Sequence, residues 1–393
     1  MVTGAYYPEL SGGSLQCRSL VLALRDRVHF TIVTTTAVRR ATGPSEVDGI
    51  PVHRVFVDPL SWRTKLLGAW WMGRLGVRLA RECDVFHFHG FTEKMLLLGA
   101  VARVYGCPTI EKLTSLGWDD PVSIRRRPLG RLLAFAQKRA DRIVAINAAF
   151  EERCRQAGVP HRVVVTIPNG VDTARFAPVD RDAVHAIRRR LDLPVDAVLV
   201  TFVGFWSREK APDVLFDAWL QARRETGHAA LLFIGSGASN HPEAEPELLA
   251  AVRRRVEEQA LGDRVFFVER TDDVASYLQA SDVFVLPSSR EGLSNALLEA
   301  MSTGLACVCT RIPGVTDTLL ESGSSGWLVP AGDVGALAGV LVHLFRDEGA
   351  RRDAGTRARQ TAMTRFAMVS VADRYFGLYS ELVAARPALP SRV

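Results

Sequence analysis

The chain is 393 residues long, too many for one ordinary core, so two domains of roughly 150–200 residues are expected. Hydrophobic residues make up 48% and charged residues 23%, a soluble globular balance, and no apolar run approaches the ~20 residues that would span a bilayer. Formal net charge is +6, and it is uneven: residues 1–180 hold 25 Lys+Arg against 16 Asp+Glu, residues 181–393 hold 24 against 27. The basic first half points to an anionic partner, a membrane surface or an acidic acceptor. Met1 opens no signal peptide, and the six cysteines show neither a CxxC pair nor a His–Cys ligand spacing. Reduced thiols in a cytoplasmic protein, with no metal site, are the expectation.

In chain order, Met1-Val2 ends a first strand, and Gly12-Gly13 close the loop before a helix from Ser14 to Arg25. So little of that strand remains that the chain reads as starting a few residues late. Strands follow at 29–34, 51–56, 84–89, 108–113, 142–146 and 162–167, with a long amphipathic segment at 61–82 and a helix at 131–140. Pro168-Asn169-Gly170-Val171-Asp172 is a sharp loop, and polar sequence runs on to about Pro194. The alternation restarts with strands at 198–203, 231–234, 265–268, 283–286, 305–309 and 327–329. Helices are read near 211–224, 245–259, 273–280, 295–302, 334–345, 351–366 and 369–384. Strand and helix alternate throughout, which makes an α/β chain of two doubly wound parallel sheets. The domains are read as 1–178 and 190–366, with 367–393 a last helix that crosses back onto the first.

The segment Glu291-Gly-Leu-Ser-Asn-Ala-Leu-Leu-Glu299-Ala-Met-Ser-Thr-Gly304 is the most informative. It puts one carboxylate in a turn after a strand and another on the following helix, at the carboxyl end of a βαβ unit, where open α/β sheets bind ligands. A helix start at Ser294-Asn295 suits a phosphate, and ionised carboxylates suit sugar hydroxyls.

Glu291-x7-Glu299-Ala-Met-x2-Gly304, Ile167-Pro-Asn-Gly-Val-Asp172, Gly12-Gly13 and Val203-Gly204-x5-Lys210-Ala-Pro-Asp213 together resemble the family 4 glycosyltransferases over nearly the whole chain. The resemblance implies the GT-B fold, two Rossmann-like domains facing a central cleft. It implies retaining, metal-independent transfer of a sugar from a nucleotide-diphosphate sugar, UDP- or GDP-linked, to an acceptor hydroxyl. No cofactor is implied beyond that co-substrate, and no nucleic acid. A lipid-linked acceptor or a cell-surface polysaccharide precursor fits the basic first half, with the protein cytoplasmic or peripheral at the inner membrane face. A sugar-nucleotide epimerase and a non-catalytic nucleotide-sugar binder stay open as alternatives.

By the same resemblance Glu291 contacts the donor sugar, and Gly292, Leu293, Ser294 and Asn295 form the turn that holds sugar and phosphate oxygens. Glu299 binds the ribose hydroxyls, and Lys210 neutralises the diphosphate. Gly12, Gly13, Gly204, Gly235 and Gly237 let backbone approach the donor, Arg270 stacks on the base, and Asn169 and Gly170 form the hinge. The sequence departs from the family twice. Phe205 replaces an Arg that pairs with the diphosphate, leaving Arg208 as a substitute, and Glu111–Asp120 lacks a His, so Thr114, Ser115 and Gly117 face the cleft instead.

His87 and His89 alternate on a strand and are expected to face opposite sides, with His89, before Gly90, the catalytic candidate. In segment 61–82, Trp62, Leu66, Trp70, Gly73 and Val77 form one helical stripe, and Arg74, Arg78 and Arg81 another. The Trp stripe is expected to pack on the sheet. The Arg stripe, with Arg125, Arg126, Arg127 and Arg131, is expected to meet a membrane or an anionic acceptor.

Overall fold

The computed structural model describes residues 1–9, 11–90, 94–237 and 244–386. The chain divides into two compact units: Met1–Gly170 with Met368–Val393, and Val171–Ala367. The change of unit falls at Gly170–Val171, so residues 171–178 belong to the second unit rather than to the first, and 179–189 to it rather than to a linker.

Unit 1 runs β1 (Val2–Thr3), α1 (Gly12–Leu24), β2 (Ile32–Thr36), β3 (Gly43–Val47), β4 (Ile50–Phe56), α2 (Trp62–Glu82), β5 (Phe86–His89), α3 (Lys94–Val104), β6 (Thr109–Lys112), α4 (Gly130–Gln137), β7 (Arg142–Ala145), α5 (Ala148–Gln156) and β8 (Val164–Thr166). Among the described residues its sheet has eight strands in the order β3-β4-β2-β1-β5-β6-β7-β8. All pairs are parallel except β3–β4, a hairpin absent from the sequence reading. Its two-residue turn, Asp48-Gly49, has φ of 53° and 79°, the left-handed geometry that matches strand twist.

Unit 2 runs α6 (Arg181–Arg190), β9 (Val198–Val203), α7 (Pro212–Thr226), β10 (Ala229–Ile234), α8 (Pro246–Glu258), β11 (Val265–Val268), α9 (Val274–Gln279), β12 (Val283–Leu286), α10 (Asn295–Thr303), β13 (Ala306–Thr310), β14 (Trp327–Val329), α11 (Val334–Arg346) and α12 (Glu348–Arg365). Its parallel sheet is ordered β11-β10-β9-β12-β13-β14. The central strands β9, β10, β12 and β13 are buried on both faces, which is why they read as continuous apolar runs rather than alternating ones. Phe202, Trp206, Trp219 and Phe233 are among the largest buried side chains of its core, with Trp206 and Phe233 ring centroids 4.8 Å apart.

The final helix, α13 (Met368–Ala384), belongs to unit 1. It contributes Val371, Tyr375, Leu378 and Leu382 to the core that also holds Leu20, Val21 and Ile32.

Candidate donor site

In unit 2 the chain winds from β9 outward to β10 and β11, then returns to lay β12 on the other side of β9. Loops leaving the carboxyl ends of β9 and β12 therefore diverge, which opens a crevice between them. They are also tied together. The Ser289 N–H donates to the Glu209 carbonyl at 2.8 Å, Arg290 pairs with Glu209 at 2.6 Å, and Lys210 Nζ donates to Glu291 Oε1 at 2.8 Å. Glu291 is buried and Lys210 partly so, which makes this a partly desolvated, charge-assisted contact, stronger than a surface pair.

Each side chain is placed by its local backbone. Lys210 precedes Ala211, whose φ of 50° is unusual for a residue with a Cβ, and Pro212, which starts α7 at its first turn. That turn ends the loop and fixes where Lys210 leaves it. On the other side, the Ser294 hydroxyl caps α10 by accepting the Leu297 N–H at 3.3 Å. Gly304, with φ of 83°, stops the helix four residues past Ala300. Leu297, Leu298 and Met301 are buried beneath α10, which holds its positive dipole end beside the Glu291 turn.

Glu299 projects from the middle of α10 and is half-buried. Among the described residues no side chain hydrogen bonds its carboxylate. Burial pushes its pKa up to about 7, opposed by the nearby Arg175 guanidinium. An acceptor group so placed, with vacant lone pairs, suits a ligand's paired hydroxyls. Arg175, which the sequence reading passed over, is itself held by the Asp272 carbonyl at 2.5 Å.

The glycines of the crevice have steric reasons. A Cβ on Gly235, at φ of 148°, would lie 1.8 Å from the Gly204 carbonyl oxygen, so these strand ends touch backbone to backbone. A Cβ on Gly237 would lie 2.6 Å from Leu249 Cδ2. Arg208 is exposed and turned to Glu245 at 3.3 Å, so its guanidinium does not join the Lys210–Glu291 pair. Arg270 is exposed just beyond the carboxyl end of β11.

In unit 1, Gly12 and Gly13 are the first helical residues of α1 rather than a loop before it. Ser11 and Ser14 form a capping box that starts the helix two residues early, with open space where a Gly13 side chain would be. Gly170 is clamped by Gln16, whose amide accepts its N–H at 3.1 Å and donates to its carbonyl at 2.8 Å.

His87 and His89 do not face opposite sides. Residues two apart on a strand share a face, and the two rings lie 4.4 Å apart. Both are buried, His87 bonding the Tyr379 hydroxyl at 2.7 Å. Burial first, and then the Lys112 charge, hold the His87 imidazole well below its usual pKa; for His89, His87 adds to both. Thr114 and Ser115 follow β6 in a loop organised by Asp119, which accepts both their N–H groups at 2.9 Å. Among the described residues no three His, Cys, Asp or Glu side chains are grouped to hold a metal, and no helix is long and apolar enough to cross a membrane.

A doubly wound sheet with a Lys–Glu pair and a partly buried helical Glu at its switch point is the kind of crevice in which open α/β folds take polar, phosphate-bearing ligands. Two family models match along the chain: a glycosyl transferase 4-like domain over residues 11–170 and a glycosyl transferases group 1 domain over residues 197–347. The chain is 30% identical over 391 residues to D-inositol 3-phosphate glycosyltransferase 2 of Catenulispora acidiphila, covering 92% of this chain and 87% of that one. It is 26% identical to the UDP-Gal:alpha-D-GlcNAc-diphosphoundecaprenol alpha-1,3-galactosyltransferase of Escherichia coli, covering 79% of this chain and 73% of that one. Its fold matches HepE of Anabaena, solved in complex with UDP-glucose, at a TM-score of 0.77 and 19% identity over 97% of this chain and 99% of that one. The chain belongs to the GT-B glycosyltransferases of this two-domain type, which transfer a sugar from a nucleotide sugar.

Proposed function

We propose that the protein is a metal-independent, retaining transferase that moves a hexosyl group from a UDP-sugar to a hydroxyl of a lipid-linked or cell-surface polysaccharide precursor, working peripherally at an anionic membrane face. The observation that carries the donor half is the largely buried Lys210–Glu291 pair at the switch point, with Glu299 on the helix that follows, its carboxylate hydrogen bonded by no side chain among the described residues. The uridine nucleotides of HepE and of the Escherichia coli relative support a UDP donor, and the latter's diphosphoundecaprenol acceptor supports a lipid-linked one.

In this reading Glu299 accepts from the ribose hydroxyls and Glu291 from a hydroxyl of the sugar. The bond from the anomeric carbon to the leaving phosphate oxygen breaks, and the acceptor oxygen bonds the same face of that carbon. The acceptor proton passes to the leaving phosphate oxygen. Lys210 and the α10 dipole face the charge that builds on the diphosphate, and each such preorganised group is worth about 3 kcal/mol.

The test is transfer from a panel of nucleotide sugars, with the product anomer read by NMR and a chelator present. Retained configuration from a UDP-sugar is expected. An inverted product, a need for added divalent ion, or an epimerised nucleotide sugar without transfer would each overturn part of the reading. A Glu291→Gln variant with full activity would remove the assigned site.

A further inference from the structure

The tryptophans of α2 do not pack on the sheet. The helix docks through Gly68, Met72, Gly76 and Leu79, spaced so that they share one face. The contact is close: a Cβ on Gly68 would lie 2.7 Å from Val57 Cγ2, and one on Gly76 2.6 Å from Leu98 Cδ2. With the two glycines giving the close contact toward the core, all three tryptophans turn outward. Trp62, Leu66, Leu67, Trp70 and Trp71 are each more than half exposed, as are Leu129, Leu132 and Phe135 at α4. The partly buried α3 lies between α2 and α4, packed against both. Among the described residues of unit 2, Met363 is the one large hydrophobe that is exposed. A concentration of apolar surface like this on one layer marks an interaction face.

The charge along it is mostly basic, with Glu82 at the end of α2 paired to Arg78. Residues 59–81 hold five Lys+Arg and no acid, and residues 121–140 hold six and no acid. Arg63 and Arg74 lie over the rings of Trp62 and Trp70, at 5.7 and 5.2 Å. Aromatic and aliphatic side chains flanked by guanidinium groups match a phosphate headgroup layer with acyl chains beneath.

We infer that the α2–α4 layer of unit 1 docks on an anionic lipid bilayer, the Trp62–Trp71 face of α2 entering the headgroup–acyl boundary while Arg125, Arg126 and Arg131 hold lipid phosphates. The inference deepens the proposed peripheral working place and rests on it, but not on the donor assignment. It also separates insertion from plain charge attraction. Attraction alone is screened by salt, whereas buried apolar area is not.

The experiment is flotation of the full chain with phosphatidylglycerol or phosphatidylcholine vesicles at low and high salt, with brominated acyl chains to quench tryptophan. Binding to phosphatidylglycerol vesicles, weakened but not abolished by salt and accompanied by quenching, is expected. A Trp62→Ser, Leu66→Ser, Trp70→Ser, Trp71→Ser variant should bind on the order of 100-fold more weakly and lose most quenching. An Arg125→Ala, Arg126→Ala, Arg131→Ala variant should lose on the order of 100-fold at low salt while residual binding is still quenched. Both should keep the thermal shift with UDP-glucose, which judges the donor site separately and shows that the variants fold. Absence of binding, or binding without quenching that salt removes completely, overturns insertion. Vesicle-free dimers that the α2 variant dissolves would assign the face to a second copy and overturn it too.

Discussion

Glu299 offers a test in which stability and ligand binding must move in opposite directions. Its carboxyl has an ordinary value of 4.5 and is held at about 7, because burial disfavours the charged form more than Arg175 favours it. The folded state therefore binds a proton more tightly than the unfolded state. Stability from this group is full below the unfolded value and is lost as pH rises through the folded one. A carboxyl held at about 7 rather than 4.5 corresponds to roughly 3 kcal/mol, and screening by solvent at the exposed part of this partly buried side chain lowers that to about 1.5 kcal/mol. A Glu299→Gln variant removes the ionisation. At pH 8.5 it should melt about 3–6 °C above the wild type, and at pH 5, where Glu299 is already neutral, within about 1 °C of it. The same variant should bind UDP-glucose more weakly at pH 8.5, because ribose hydroxyls lose an ionised acceptor worth about 1.5–3 kcal/mol. Calorimetric unfolding and titration on one preparation read both. A variant equally stabilised at the two pH values, or not stabilised at pH 8.5, would refute the burial argument. One that binds UDP-glucose undiminished would refute the ribose assignment.

Further outcomes follow from the neighbouring geometry. Lys210→Ala leaves the buried Glu291 carboxylate without its cation, so UDP-glucose affinity measured by titration should fall by at least about tenfold, with lower thermal stability of the free protein. Gly235→Ala should cost more than ~3 kcal/mol in denaturant unfolding, because its Cβ cannot share space with the Gly204 carbonyl at φ of 148°. Asp119→Ala should release the Thr114 and Ser115 N–H groups and lower the acceptor kcat/KM, while the UDP-glucose thermal shift stays unchanged.

The strands of unit 2 were the most legible part of the chain. Val198–Val203, Val265–Val268, Val283–Leu286 and Trp327–Val329 are found with the bounds read from sequence, since short apolar runs between Gly, Pro and Asp punctuation leave little choice. The β3–β4 hairpin was missed although Asp48-Gly49 signals it, because β3 is largely exposed and polar. The α6 helix was read as linker, half of its ten residues being charged and only Arg188 buried. The face of α2 was misread for a definite reason. Apolar periodicity shows that a helix has a greasy side but not that this side is the buried one, and here glycines make the contact. In the crevice, the placement of Glu291, Lys210 and Glu299 at the ends of β9 and β12 and on α10 was legible from the strand and helix pattern. That Glu209, Ser289 and Arg290 lace the two loops was not, since those partners lie about 80 positions apart in sequence and nothing local marks them.

The place of α13 in unit 1 bears on how the protein is made. Ribosomal synthesis releases residues 1–170 first, yet the core around Leu20, Val21 and Ile32 lacks Tyr375 and Leu378 until unit 2 has also emerged. At ~5–20 residues per second that interval is roughly 10–40 s. Unit 2 is one uninterrupted stretch and can complete its core during that time. The nascent first half must wait with an apolar groove uncovered, which makes it the natural client of a chaperone on the emerging chain.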